Sequence, residues 1–179
     1  VIALEAEATV IKAQKDAVDS MNAAVNIGIP KGSTLYFAVD CDPYDEEIEK
    51  YVLVYFKELK RILTSYGNLY EIGVYGTRNV CKTVYDSGYA KFAYVADAST
   101  GFSGNMGFKM PECWAFDQFR VSVKNDEIYV GNVQIDKVAV SGIDGAVSRL
   151  DKNVQTEYEI RKEAAPKMSN FIIMFLEFF

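Results

Sequence analysis

The sequence predicts an α/β fold built on parallel strands. Four short runs rich in β-formers, at 34–39, 70–75, 91–96 and 113–116, are separated by helical patterns or by a loop. The first is apolar at almost every position, as in a strand buried on both faces, which is the habit of parallel sheets. Alternation of such strands with helices is the pattern of a crossover sheet, either an open doubly wound sheet or a closed β/α barrel.

Residues 10–27 carry Val10, Ala13, Ala17, Met21, Ala24 and Val25 at three- and four-residue steps, which predicts an amphipathic helix. Gly28 and Pro30 stop it, and Pro30 to Ser33 form a turn. The run 34–39 follows and ends in Asp40-Cys41-Asp42-Pro43. Over 44–65, Ile48, Tyr51, Val52, Tyr55, Phe56, Leu59, Ile62 and Leu63 form one wide apolar stripe, and acids lead while bases close, as the helix dipole favours. The strand at 70–75 leads through Gly76-Thr77 into a short helix reaching about residue 87. The strand at 91–96 ends at Asp97, a Gly/Ser-rich loop runs to Pro111, and the strand at 113–116 ends in Asp117-Gln118-Phe119. A hairpin is expected over 120–136, with turns at Asn125-Asp126 and Gly131-Asn132 and Asp136 on its last strand. Residues 143–179 differ in character: charged and helix-friendly over 146–164, then Pro166 and the apolar end 171–179, which is too short to span a bilayer. The expected division is therefore a β/α domain over 1–142 and a helical tail over 143–179.

Composition narrows the chemistry. The 179 residues contain no histidine, which excludes a Ser-His-Asp triad, a Cys-His pair and a His-ligated metal. Three widely spaced cysteines, Cys41, Cys81 and Cys113, make neither a zinc motif nor a dense disulfide framework and are expected to be packed or free thiols. A net charge of −6 argues against nucleic acid. No glycine-rich phosphate loop opens any helix, and no cofactor is expected. The chain begins with Val and shows no signal-peptide pattern, so its start reads as a processed or truncated end.

What remains is carboxylate chemistry. Residues two apart in a strand point to one face, so Asp40 and Asp42 are placed to aim two carboxylates at the carboxyl-terminal edge of the sheet, where barrel enzymes build their sites. Glycoside hydrolysis uses two carboxyl groups, one holding a proton and one charged. The competing reading makes Asp42 a helix cap ahead of Pro43, and an Asp-x-Asp pair also suits a divalent cation. Asp97, Asp117 and Asp136 end or follow strands and would converge on the same mouth. Tyr75 and Trp114, with Tyr94 and Phe102, offer rings for sugar faces, although aromatics are core residues by default. Asp40, Asp42 and Asp136 are thus the candidate catalytic residues, and Tyr75, Asp97, Trp114, Asp117 and Gln118 the candidate substrate contacts, with no metal.

The segments 36–42, 72–76, 98–104, 114–119 and 135–139, with the lead-in 28–32, resemble the bacterial glycoside-hydrolase-like domain of unknown function DUF1906, which is similar to the family 25 muramidases. The resemblance implies a TIM-like barrel of which this chain holds about strands four to eight, and action on peptidoglycan outside the cell or in the cell wall. It sets Asp40-Cys41-Asp42 at the muramidase Asp-x-Glu position, Asp136 on the last strand and Tyr75 on the fifth. A muramidase-like glycosidase, a non-catalytic glycan-binding module, and a structural part of an envelope or phage assembly are the competing functions. A membrane role is not expected for the domain; self-association or a partner chain through 171–179 is.

Overall fold

A computed structural model describes residues 2–145 and 147–165. Helix α1 (Ile2–Ile27) buries Ala13, Ala17, Met21, Ala24 and Val25 along one stripe. It ends at Gly28, whose φ of +86° is the left-handed closing turn that favours glycine, and the amides of Gly28 and Ile29 both reach back to the Ala24 carbonyl. Strand β1 (Thr34–Ala38) follows. Next comes a helical run made of α2 (Asp45–Glu47), a π turn (Ile48–Val52) and α3 (Leu53–Ser65). The small residues of α1 let it lie close against Phe56, Leu59, Ile62 and Leu63 of α3, all fully buried in one core cluster.

Strand β2 (Glu71–Gly76), helix α4 (Arg78–Asp86), β3 (Phe92–Val95) and β4 (Trp114–Arg120) complete a parallel set in spatial order β1-β2-β3-β4. Thr77 caps α4 by accepting the Val80 amide. A small hairpin of β5 (Tyr129–Val130) and β6 (Val133–Gln134) precedes β7 (Lys137–Val140). Here the structure departs from an all-parallel expectation: β7 pairs antiparallel with β4. The link between them holds a hairpin and no crossover helix, so the chain turns back beside β4 instead of crossing over it. Asp136 therefore precedes its strand, and the reversal delivers it to the same edge as the carboxyl ends of the other four.

The two sheet faces are chemically different. Phe37, Ile72, Val74, Ala93 and Val95 face the helices and form the core. The alternate positions pair in register as Ala38, Tyr75, Tyr94, Phe116 and Val140, with Tyr36 two residues before Ala38. On a flat sheet, residues three strands apart lie about 14 Å from one another. The rings of Tyr36 on β1 and Phe116 on β4 nevertheless meet at 5.6 Å, and Tyr36 also packs edge-on to Tyr94. The sheet is thus strongly curved, with an aromatic layer on its concave face and the helices on its convex face. Among the described residues it is open, with β1 and β7 as its edges.

Gly73 makes room for that layer. A Cβ there would lie 2.5 Å from two atoms of the Tyr36 ring and 2.9 Å from the Thr34 methyl. The ring has little freedom to retreat, because its hydroxyl donates to Asp144 at 2.6 Å and two other rings box it in. Gly73→Ala should therefore cost about 1–3 kcal/mol in denaturant unfolding. Combining it with Tyr36→Ala should recover part of that loss; strict additivity of the two would show that the clash is not the cause.

The expected boundary at residue 142 is crossed by contacts. Asp144 accepts from Thr34 and Tyr36, the Asp151 amide donates to Gly28, and helix α5 (Val154–Ala164) buries Val154 and Tyr158 in the main core. The apolar stretch 171–179 lies outside the described residues. Among those described, no helix is long and apolar enough to cross a membrane. Cys81 and Cys113 are buried and Cys41 is exposed, all as free thiols; burial pushes Cys113 up to about 11.

Candidate functional site

The carboxyl edge of the curved sheet gathers polar groups at its concave mouth. Asp40 stands two residues beyond Ala38, so the strand alternation carries it to the concave side. It is exposed, next to the last β1–β2 ladder bond, donated by Val39 to the Tyr75 carbonyl. From β2, the Tyr75 hydroxyl reaches Gln118 on β4 at 2.8 Å, spanning the strand between them. Gln118 in turn donates to Asp136 at 2.7 Å, and the Ser122 amide donates to the other Asp136 oxygen at 2.8 Å. Tyr94 lies below, edge-to-face with Tyr75 at 5.2 Å. Burial raises the Tyr75 hydroxyl above its ordinary value, and Asp40, Tyr94 and Asp136 raise it further. Burial and then Asp136 raise Tyr94 likewise. Asp40 and Asp136, at opposite edges of the sheet, thus both act on the Tyr75 hydroxyl, behind the effect of burial.

The other predicted residues are placed elsewhere. The Asp42 carboxylate accepts the backbone amides of Ser103 and Gly104 at 2.6 and 2.9 Å, so both oxygens clamp the β3–β4 loop. Burial works against its charged form, but these two amides, together with the Ser103 hydroxyl, outweigh that and hold its carboxyl below the usual value. Asp97 receives a two-pronged pair from Arg78, with Nε at 2.7 Å, and the same guanidinium donates to the Phe108 carbonyl. Asp97 follows Val95 at the alternate position and Asp117 pairs in register with Val95, so both belong to the convex, helix-covered side. One Asp117 oxygen is buried without a hydrogen-bond partner; burial and then Asp97 push this carboxyl up, against the pull of Arg78. Trp114 pairs with Ala93 and packs against the helix-side core. The register slip between Ala93 and Tyr94 separates it from the concave aromatic layer.

The loop held by Asp42 borders the mouth. It is pinned from below as well: the Arg78 amide donates to the Asn105 side chain, and the Asn105 amide group donates to the Ala96 and Ser99 carbonyls. Asp42→Ala removes the top clamp only. Amide exchange at Ser103 and Gly104 should accelerate while the β3 ladder stays protected. In the parent protein the same two amides should lose protection as pH falls below the ordinary carboxylate value of 3.8, because the contribution of a carboxylate with a lowered pKa is present above that value and vanishes on protonation. Unchanged exchange in both experiments would remove the clamp from the account.

Two residues of the mouth escaped prediction, Ser122 and the ring-bearing Phe116, while Tyr94 was expected only as a ring for sugar faces and not among the candidate substrate contacts. The signal was present in part, since Tyr36, Tyr75, Tyr94 and Phe116 each occupy the alternate position opposite an aliphatic or small core residue. Among the described residues no group of three or more Cys, Asp or Glu side chains is arranged to hold a metal ion.

A family model for the Rv2525c-like, glycoside hydrolase-like domain matches residues 4–153. Two curated proteins of Bacillus subtilis (strain 168) are similar: the uncharacterized protein YbfG, 41% identical over 152 residues, and the uncharacterized protein FadG, 36% identical over 140 residues. These matches take in 82% and 77% of this chain but 20% and 24% of the two relatives, so the chain spans about a quarter of their length or less. Among solved structures, the Tat-secreted protein Rv2525c of Mycobacterium tuberculosis in complex with L-tartrate superposes with a TM-score of 0.58 at 15% identity, covering 73% of this chain and 58% of that one. A second crystal form, in complex with HEPES, gives 0.54.

Proposed function

The chain belongs to the Rv2525c-like, glycoside hydrolase-like domain family, and from that premise we propose that its curved sheet is the arc of a TIM-like barrel, about strands four to eight, whose mouth engages bacterial cell-wall glycan. The observation that carries this reading is the hydrogen-bonded row Tyr75–Gln118–Asp136 beside Asp40, set over an aromatic layer at the carboxyl edge of the strands. Sugars present hydroxyls in a ring with apolar faces, and a mouth that combines carboxylates, an amide and tyrosine rings answers both features. Asp40 and Asp136 are the pair we assign to glycosidic bond cleavage, with Tyr75 and Gln118 as contacts to the sugar. The secreted relative supports a location outside the cell or in the cell wall.

A second reading has its own support. Both oxygens of Asp42 are spent on backbone amides, so the expected Asp-x-Asp pair does not face the mouth as two free carboxylates. A glycan-binding module without turnover fits that observation. Purified peptidoglycan distinguishes the two: release of new reducing ends establishes cleavage, retention on the insoluble glycan without release establishes binding, and neither overturns the assignment to glycan.

A further inference from the structure

The direction of the hydrogen bonds at the mouth limits what it can recognise. An ionised Asp136 only accepts, so the Gln118 side chain must present its NH2 group to it and its carbonyl to Tyr75. The Tyr75 hydroxyl must then be the donor in that contact, which leaves its oxygen as an acceptor toward the mouth. The Ser122 amide is likewise spent on Asp136. Asp40 makes no hydrogen bond or ion pair among the described residues, so both of its oxygens are open acceptors. Two nearby cations are engaged elsewhere, Arg78 with Asp97 and Arg120 with Asp126. Beneath these acceptors lie the rings of Tyr75 and Tyr94, whose faces attract cations.

We infer that the mouth selects glycan bearing a free 2-ammonium group, a de-N-acetylated amino sugar, over its N-acetylated or carboxylate-bearing counterparts. The ammonium supplies three donors and a positive charge to a surface of acceptors, carboxylates and ring faces. An N-acetyl group replaces that charge with one N–H and adds a carbonyl that needs a donor, so it draws on the mouth's acceptors through that one N–H alone. An acidic sugar adds repulsion from Asp40 and Asp136. The electrostatics around Tyr75 agree, since the side chains that shift it include both of these acids.

This inference rests on the glycan reading above. The test is calorimetric titration of the chain with a glucosamine tetramer and with an N-acetylglucosamine tetramer, at a pH near 6 where the amines are charged. The glucosamine tetramer should bind about tenfold more tightly, roughly the value of one added charged hydrogen bond. Asp40→Asn, which breaks no hydrogen bond of the described residues, should shrink the difference, and combining it with Asp136→Asn should erase it. Equal or tighter binding of the acetylated tetramer overturns the inference and leaves the glycan reading standing. A preference that persists in the double variant also overturns it, because it then reflects the overall negative charge of the protein. No binding of either tetramer overturns both.

Discussion

Replacing Tyr158 with alanine should lower stability by about 3–5 kcal/mol, the range for removing a fully buried aromatic ring. At the scaling expected for a chain of this size, that is a drop of roughly 10 °C in melting temperature. Tyr158 is 1% exposed. Its ring stacks on Tyr66 at 5.8 Å with an interplanar angle of 13°, and its hydroxyl donates to Asn22 of α1 at 2.6 Å. One side chain thus ties α5 to the start and to the middle of the chain. The hydroxyl can be separated from the ring: Tyr158→Phe should cost only about 1 kcal/mol, the net worth of one hydrogen bond. Arg161 of the same helix reinforces the attachment by donating to the Gly67 carbonyl at 2.7 Å. If the alanine variant melts with the parent, α5 is an appendage and the core ends before it.

That result bears on what the sequence could and could not reveal. The change of composition after 142 is real, but composition does not report docking. Tyr158 is one aromatic in a charged stretch, and only the fold shows that it faces Tyr66 and Asn22. The strands and helices were legible for the opposite reason: Phe37, Ile72, Val74, Ala93 and Val95 repeat the buried position at every crossing, so local pattern and tertiary burial agree. Among the acids, the outcome followed strand parity. Asp40 continues the alternation of Tyr36 and Ala38, and Asp97 that of Val95, so the two leave the sheet on opposite faces. The direction of β7 could not be read from its few residues, since parallel and antiparallel edge strands share one pattern. Nor could the clamp on Asp42, which depends on a loop some sixty residues away folding back over it.

On the cleavage reading proposed above, Asp40→Asn should lower turnover of cell-wall glycan about 10²–10⁴-fold while leaving the fold intact, the range for a residue that moves a proton in the reaction. The variant is clean because the side chain is exposed and its removal breaks no recorded hydrogen bond or ion pair among the described residues. Asp136→Asn should also lose turnover, but through two effects: the carboxylate is removed, and Gln118 is free to flip its amide and release Tyr75. The two variants are therefore expected to differ in their pH profiles more than in the size of the loss. Asp42→Asn supplies the contrast. Its carboxylate is spent on the Ser103 and Gly104 amides, so it should disturb the loop at the rim and change KM more than kcat. Equal turnover by Asp40→Asn and the parent would remove Asp40 from the chemistry. An Asp42→Asn variant that alone loses kcat would mean that the clamp opens when glycan binds, and that Asp42 acts from the muramidase Asp-x-Glu position the resemblance implies.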